Sequence, residues 1–448
     1  MSVRGALLAC LAVAGLAACT AAPRPEITSV RFGAVTLPSG VARSNLDLAQ
    51  DFLELTFALE SGEKLDHLLR YEEPVRVYLA SPALAAYAPD LADLTRRLRT
   101  EAGIDIAVTD DPEAAQIRLE MVPAEEISRI FPTAACFIVP GETDWRGFLN
   151  RRSDARLRWS DQETLGKAAI FLPVDTTPQD VRDCLAEEIT QALGPANDLY
   201  RLPDSIWNDD NFHGMATAFD MLMLRVLYQP ELRSGMSREE VARLLPRLLD
   251  RENPKGRGLP RQPRQPESKA WARAIEAALS RDAPRSKRVS SATLATEIAA
   301  EMRPVDHRLG VALLTLGRLS LRRDPAAAAD EFTQAYALFM RQFGPDDVRT
   351  AQAGVHLAAL ALGTGQYRLA IELADRHIPA AQAGQNAVLL AGLLSMKAEA
   401  LAALGDTQAA QATRLDSLRW ARYGFGDTDG ALAREQAQLA ALLRLEKK

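Results

Sequence analysis

Residues 184–198 read Cys-Leu-Ala-Glu-Glu-Ile-Thr-Gln-Ala-Leu-Gly-Pro-Ala-Asn-Asp. They close a helix that Thr177-Pro178-Gln179-Asp180 opens, with an N-cap, a proline at the first position and an acid at the third. The spacing predicts a helix to about Leu193, stopped by Gly194. Glu187 and Gln191 are four residues apart and share one face. Glu188 points about 100° away from Glu187. Gly194 can adopt the left-handed conformation that ends a helix. The chain then turns back and brings Asn197 toward the face of Glu187 and Gln191.

The flanking segments read as α+β. Ser44 caps a helix from Asn45 to Glu60, with Leu46, Ala49, Phe52, Leu53, Thr56 and Phe57 at helical spacing. Val75–Leu79 alternates like a strand, and 83–101 reads as a helix. Ile104–Thr109, Ile117–Val122, Cys136–Val139 and Lys167–Leu172 read as further strands. Thr217, with Asp220 at the third position, opens a helix to about Tyr228. One domain with a mixed sheet is expected over 45–250.

Residues 251–269 carry Pro254, Pro260, Pro263 and Pro266, with six basic residues against two acids. They read as a solvated, semi-rigid linker. The alternative is contact with an anionic lipid or polymer. From 270 to 448 the chain is rich in alanine and leucine and reads as helices throughout. The turn Leu362-Gly363-Thr364-Gly365-Gln366-Tyr367 recurs at Leu404-Gly405-Asp406-Thr407-Gln408-Ala409. Arg323-Asp324-Pro325 is a weaker copy. Ala328 to Ala370 spans 42 residues and Ala370 to Ala410 spans 40. This pattern resembles tetratricopeptide repeats of a longer type. The resemblance implies a stacked all-α solenoid that offers a concave surface to a protein or peptide partner.

The N-terminus reads as an address. Arg4 precedes an apolar run from Gly5 to Ala18, too short to span a bilayer as a helix. Leu16-Ala17-Ala18-Cys19 resembles a bacterial lipobox. That resemblance implies a signal peptide over 1–18, lipid on Cys19, and an extended arm over 19–44. It also implies a membrane anchor in the cell envelope, on the periplasmic side. Thr20 after the cysteine favours the outer membrane. Cys10 leaves with the signal, so Cys136 and Cys184 remain in an oxidising compartment. One disulfide between them is the simplest expectation, with two buried thiols as the alternative.

The chain has 448 residues, 47 % hydrophobic and 25 % charged, with a net charge of −6. That is a globular composition and excludes a disordered chain. An acidic balance argues against nucleic acid as a partner. No GxxxxGK[ST] loop, GxSxG elbow or CxxC pair occurs.

Laid against HExxHxxGxxH, the segment after Cys184 resembles the metzincin metalloprotease motif. Glu187, Gln191 and Asn197 fall on the three metal-ligand positions, Glu188 on the catalytic glutamate, and Gly194 on the glycine. Pro203-Asp204-Ser205-Ile206-Trp207-Asn208 resembles the Met-turn of matrixin-type members, with Trp207 where methionine is usual. Met215 to Tyr228 resembles their last helix. The resemblance implies a zincin-like fold over roughly 70–230. All three zinc-binding histidines are replaced, and His67 and His213 sit at no motif position. Two amides and one carboxylate suit a hard cation better than zinc. No cofactor is therefore expected; the alternative is a divalent metal other than zinc. Gln191 and Asn197 are expected to hydrogen-bond to each other in place of the metal, with Trp207 as a plug beneath them. Arg43–Gly62 and Cys184–Met236 also resemble an uncharacterised bacterial lipoprotein family. The expected function is a non-enzymatic binding or scaffold protein for peptide, protein or cell-wall partners. The alternative is a hydrolase with Glu188 as general base.

Overall fold

The computed structural model describes residues 29–426, apart from 34, 36–39, 132–133, 209, 211, 265 and 281. The expected signal peptide 1–18, the expected lipid site Cys19 and the start of the expected arm lie outside the described residues, as do residues 427–448, where helix was expected. No helix among the described residues is long and apolar enough to cross a membrane.

The first half is mixed α/β. Helix α1 (Asn45–Thr56) precedes β1 (Val75–Leu79), α2 (Ala88–Glu101), β2 (Ile106–Val108) and β3 (Ile117–Val122). Then come α3 (Ala124–Ser128), β4 (Phe137–Pro140), α4 (Trp145–Arg151), β5 (Ala168–Pro173), α5 (Pro178–Ala192), α6 (Ala218–Leu227) and α7 (Arg238–Glu252). The strands form one sheet in the order β2-β1-β3-β5-β4. Only β4 runs antiparallel, pairing Phe137 with Phe171 and Pro140 with Ala168. β5 is buried along its whole length, as its unbroken apolar run requires of a strand covered on both faces. Its side chains alternate between two cores. Ile170 and Leu172 join the main core with α1 and α5. Ala169 and Phe171 join a smaller core under Trp145 and Phe148 of α4.

The expected strands all form. The expected capping boxes at Thr177/Asp180 and Thr217/Asp220 close as read, opening α5 and α6. The Cys136–Cys184 disulfide forms and ties the start of β4 to α5. The helix expected over 45–60 ends at Thr56, because Ala58 and Lys64 pair around a turn at Gly62. Helices α3, α4 and α7 were not expected. The first two are short, and α7 contains Pro246. A mid-helix proline costs a hydrogen bond. The stripe Val241, Leu245, Leu248 and Leu249 buries against the main core and outweighs it.

The second half is all-helical. It comprises α8 (Lys269–Leu279), α9 (Arg285–Glu301), α10 (His307–Ser320), α11 (Pro325–Phe343), α12 (Val348–Gly363), α13 (Tyr367–Ala383), α14 (Ala387–Ala403) and α15 (Thr407–Phe425). They pack as successive pairs. The repeat marks Ala328, Ala370 and Ala410 open α11, α13 and α15 and are all buried. Asp324 and Asp406 cap their helices at equivalent places. Gly317 lets Phe332 approach α10; a Cβ there would lie 2.5 Å from the ring.

The two halves interlock. The loop between α5 and α6 sends Tyr200 and Phe212 into the core of the helical half. Tyr200 packs on Trp271 at 5.1 Å, and Phe212 on Phe339 at 6.0 Å. His307 Nε2 meets the Tyr200 carbonyl at 2.7 Å, and Arg349 donates to the Pro203 carbonyl. At the far end, Arg182 of α5 lies 3.6 Å over the Tyr423 ring of α15. Phe32 of the N-terminal arm stacks on Trp420 at 4.4 Å.

Candidate functional site

The candidate site is the polar stripe of α5 and the loop that follows it. Gln179, Asp183, Glu187 and Gln191 recur every fourth residue and form one stripe. Gln179 belongs to the junction: its Oε1 accepts from Ala387 N at 3.0 Å, and its Nε2 donates to Asp183 at 2.8 Å. Gly214 packs against Asp183, where a Cβ would sit 2.7 Å from Oδ1. Burial pushes the Asp183 carboxyl up to about 7. Glu187 is partly buried, and Glu188 is buried on the next face. Both are engaged within the protein.

The two amides of the motif do not meet each other, contrary to expectation. Gln191 Nε2 donates to Asp198 Oδ1 and Oδ2 at 2.9 and 2.8 Å. Asn197 Nδ2 donates instead to the Glu54 carbonyl of α1 at 2.8 Å. The turn at Gly194, with φ of +138°, presents residue 198 to the helix face, so 197 is directed to α1. Gly194 is required there. A Cβ would lie 2.6 Å from the Leu69 carbonyl.

Trp207 is fully buried beneath α5 and donates from Nε1 to Thr190 Oγ1 at 3.0 Å. Its turn is pinned by Asp220, which accepts from Ser205 Oγ at 2.6 Å and from Ile206 N at 3.1 Å. Burial pushes Asp220 up to about 6. His213 meets the Pro203 carbonyl at 3.0 Å, and burial pushes its pKa down to about 4. His67 meets the Gln162 carbonyl at 2.6 Å. Neither histidine approaches the motif positions as a donor set.

These residues do not fit a zinc ion. No imidazole or thiolate stands at the three positions, the groups that hold zinc in such sites, and both amide nitrogens are engaged within the protein. Among the described residues, no group of three or more His, Cys, Asp or Glu is arranged to hold a metal.

One cluster escaped the sequence analysis. Asp47, Asp51 and Glu54 lie on one face of α1. Asp51 is fully buried and receives Arg201 Nη1 at 2.6 Å, together with Arg43 and Arg264. Arg261 reaches Asp47 at 2.8 Å, and Arg201 also binds Glu54. The proline-rich linker is therefore bound to α1 along 261–264. Arg261 and Arg264 tie that stretch to α1, while Lys255, Arg257 and Leu259 are exposed, as a solvated spacer requires. The i, i+4, i+7 spacing of these acids, facing an arginine-rich segment, was the available signal.

Residues 45–247, a little under half of the chain, match a family described as a protein of unknown function (DUF2927). That span contains α1, the sheet, the α5 stripe and Trp207. No curated protein matches the chain.

Proposed function

We propose that the protein is an envelope-anchored lipoprotein that binds or scaffolds a peptide, protein or cell-wall partner. In this reading, 45–250 is a zincin-like domain that has lost zinc hydrolysis, and 270–448 is a tetratricopeptide-like solenoid. Lipid on Cys19 holds both at the membrane, on the periplasmic side. The observation that carries it is the use of the motif amides. In this reading the amide nitrogens of Gln191 and Asn197, bound to Asp198 and to the Glu54 carbonyl, staple the loop where zinc-binding histidines would stand. The order of sheet, α5, glycine turn, buried Trp207 and α6 supports the zincin-like part. The spacing of Ala328, Ala370 and Ala410 supports the repeats.

Complementation of a deletion strain tests the reading. Full chain carrying Glu188→Gln is expected to restore every envelope phenotype as well as wild type, and Cys19→Ser is expected to restore none. Loss of rescue by a folded, normally localised Glu188→Gln chain would overturn the binding reading in favour of hydrolysis.

A further inference from the structure

A groove opens where the α5–α6 loop meets α8 and α10, with about 50 Å³ of free space. Its walls include Phe212 from the loop, Ile275 from α8, and Val311 and Leu314 from α10. Arg318 and Asp210 are its charged members.

Arg318 is fixed but unpaired. Its Nε donates to His356 Nε2 at 2.9 Å. A ring nitrogen that accepts carries no proton, so His356 is neutral there. The His356 ring stacks on Phe332 at 4.4 Å with 9° between planes. That stack holds the imidazole, and the imidazole holds the guanidinium. Among the described residues, no carboxylate pairs with Arg318, and no acceptor takes its Nη1 or Nη2 hydrogens. Arg318 is exposed and contributes to the groove lining. Asp210 makes no ion pair with it. Its oxygens accept from Asn208 Nδ2 at 2.9 Å and Phe212 N at 3.1 Å, inside its own loop.

We propose that this groove binds a short aliphatic carboxylate, the two Nη groups of Arg318 taking the carboxylate and the Val311–Leu314–Ile275 wall taking the chain. A planar guanidinium held by its Nε presents two parallel N–H donors, the geometry a carboxylate matches. The wall excludes a strongly hydrated anion such as phosphate, which gains nothing from apolar contact. The free space holds about three water molecules, which matches a carboxylate with a few carbons.

The test titrates the full chain with butanoate, butanol and inorganic phosphate by calorimetry and ligand-observed NMR. Butanoate is expected to saturate, at least about tenfold tighter than either of the others. Arg318→Gln is expected to weaken it by about tenfold or more. Thr315→Glu supplies an internal carboxylate one turn from Arg318 and is expected to abolish binding in the folded variant, its fold checked by circular dichroism. If Arg318→Gln fails to fold, Thr315→Glu decides. Equal uptake of butanol or phosphate, no saturable uptake of butanoate, or unchanged binding in either folded variant would overturn the proposal.

Discussion

Gln191 gives its side-chain amide to both oxygens of Asp198, one residue beyond the third ligand position of the metzincin pattern. An amide donating to a carboxylate is a charge-assisted bond, stronger than a neutral pair. The bond joins the end of α5 to the start of the following loop.

Gln191→Glu sets a second carboxylate against Asp198. The variant is expected to lose about 1–3 kcal/mol of stability at pH 7. A carboxylate facing a carboxylate has a raised folded pKa, so the loss shrinks as pH falls and the pair takes up a proton. Chemical denaturation at pH 7 and pH 5 checks this. An equal loss at both values would mean that the amide is not the partner of Asp198.

Asp51 sits with no exposure among Arg43, Arg201 and Arg264. Asp51→Ala leaves three cations facing one another and is expected to cost about 3–5 kcal/mol. Glu54→Gln, with its carboxylate partly in water, is expected to cost about 1 kcal/mol or less. Denaturant midpoints rank the two. Limited proteolysis of Asp51→Ala is expected to cut first in 257–268, where the linker loses its tie to α1.

The disulfide closes a loop of 48 residues between β4 and α5. In the chain-entropy account, removing it costs up to about 4 kcal/mol. The double variant Cys136→Ala/Cys184→Ala is expected to melt well below the oxidised protein, and at the same temperature as wild type held in reductant. Identical melting with and without reductant would show that the link constrains little.

Burial disfavours the charge of Asp183 and pushes its carboxyl up to about 7 from an ordinary 3.8. Between about pH 4 and 7 the folded state holds a proton that the unfolded chain has released. Stability from this group therefore falls as pH rises through that window. His213 and His307, both pushed down to about 4 by burial, act oppositely and lose stability as pH falls from about 6.5 to 4. Asp183→Asn keeps the bond to Gln179 and deletes one titration. It is expected to match wild type near pH 4 and to be more stable by on the order of 1–2 kcal/mol at pH 8. A constant difference across the range would remove Asp183 from the pH dependence.

The local signals were legible where one segment sufficed to generate them. Thr177 and Asp180 are three residues apart, and so are Thr217 and Asp220; both pairs closed as capping boxes. β5 announced itself by an unbroken apolar run. The partner of Gln191 was not legible, since a rotation of one residue at Gly194 decides whether 197 or 198 faces α5. The ties from Arg261 and Arg264 to Asp47 and Asp51 span more than 200 residues, and charge composition does not encode which acid an arginine finds. The proline in α7 hid that helix until its buried stripe was visible.

Short-range periodicity and counting were enough for the two halves, the capping boxes at Thr177 and Thr217, the strands, the repeat spacing and the cysteine pair, but not for Ser44, whose hydroxyl makes no cap bond. Long-range contacts decided that the two halves interlock through Tyr200, Phe212 and Arg182. They also decided that Gln191 meets Asp198, that Asn197 meets Glu54, and that no carboxylate pairs with Arg318 among the described residues. Those facts rest on which side chains meet across long loops, where burial and geometry select one partner from many of equal chemistry.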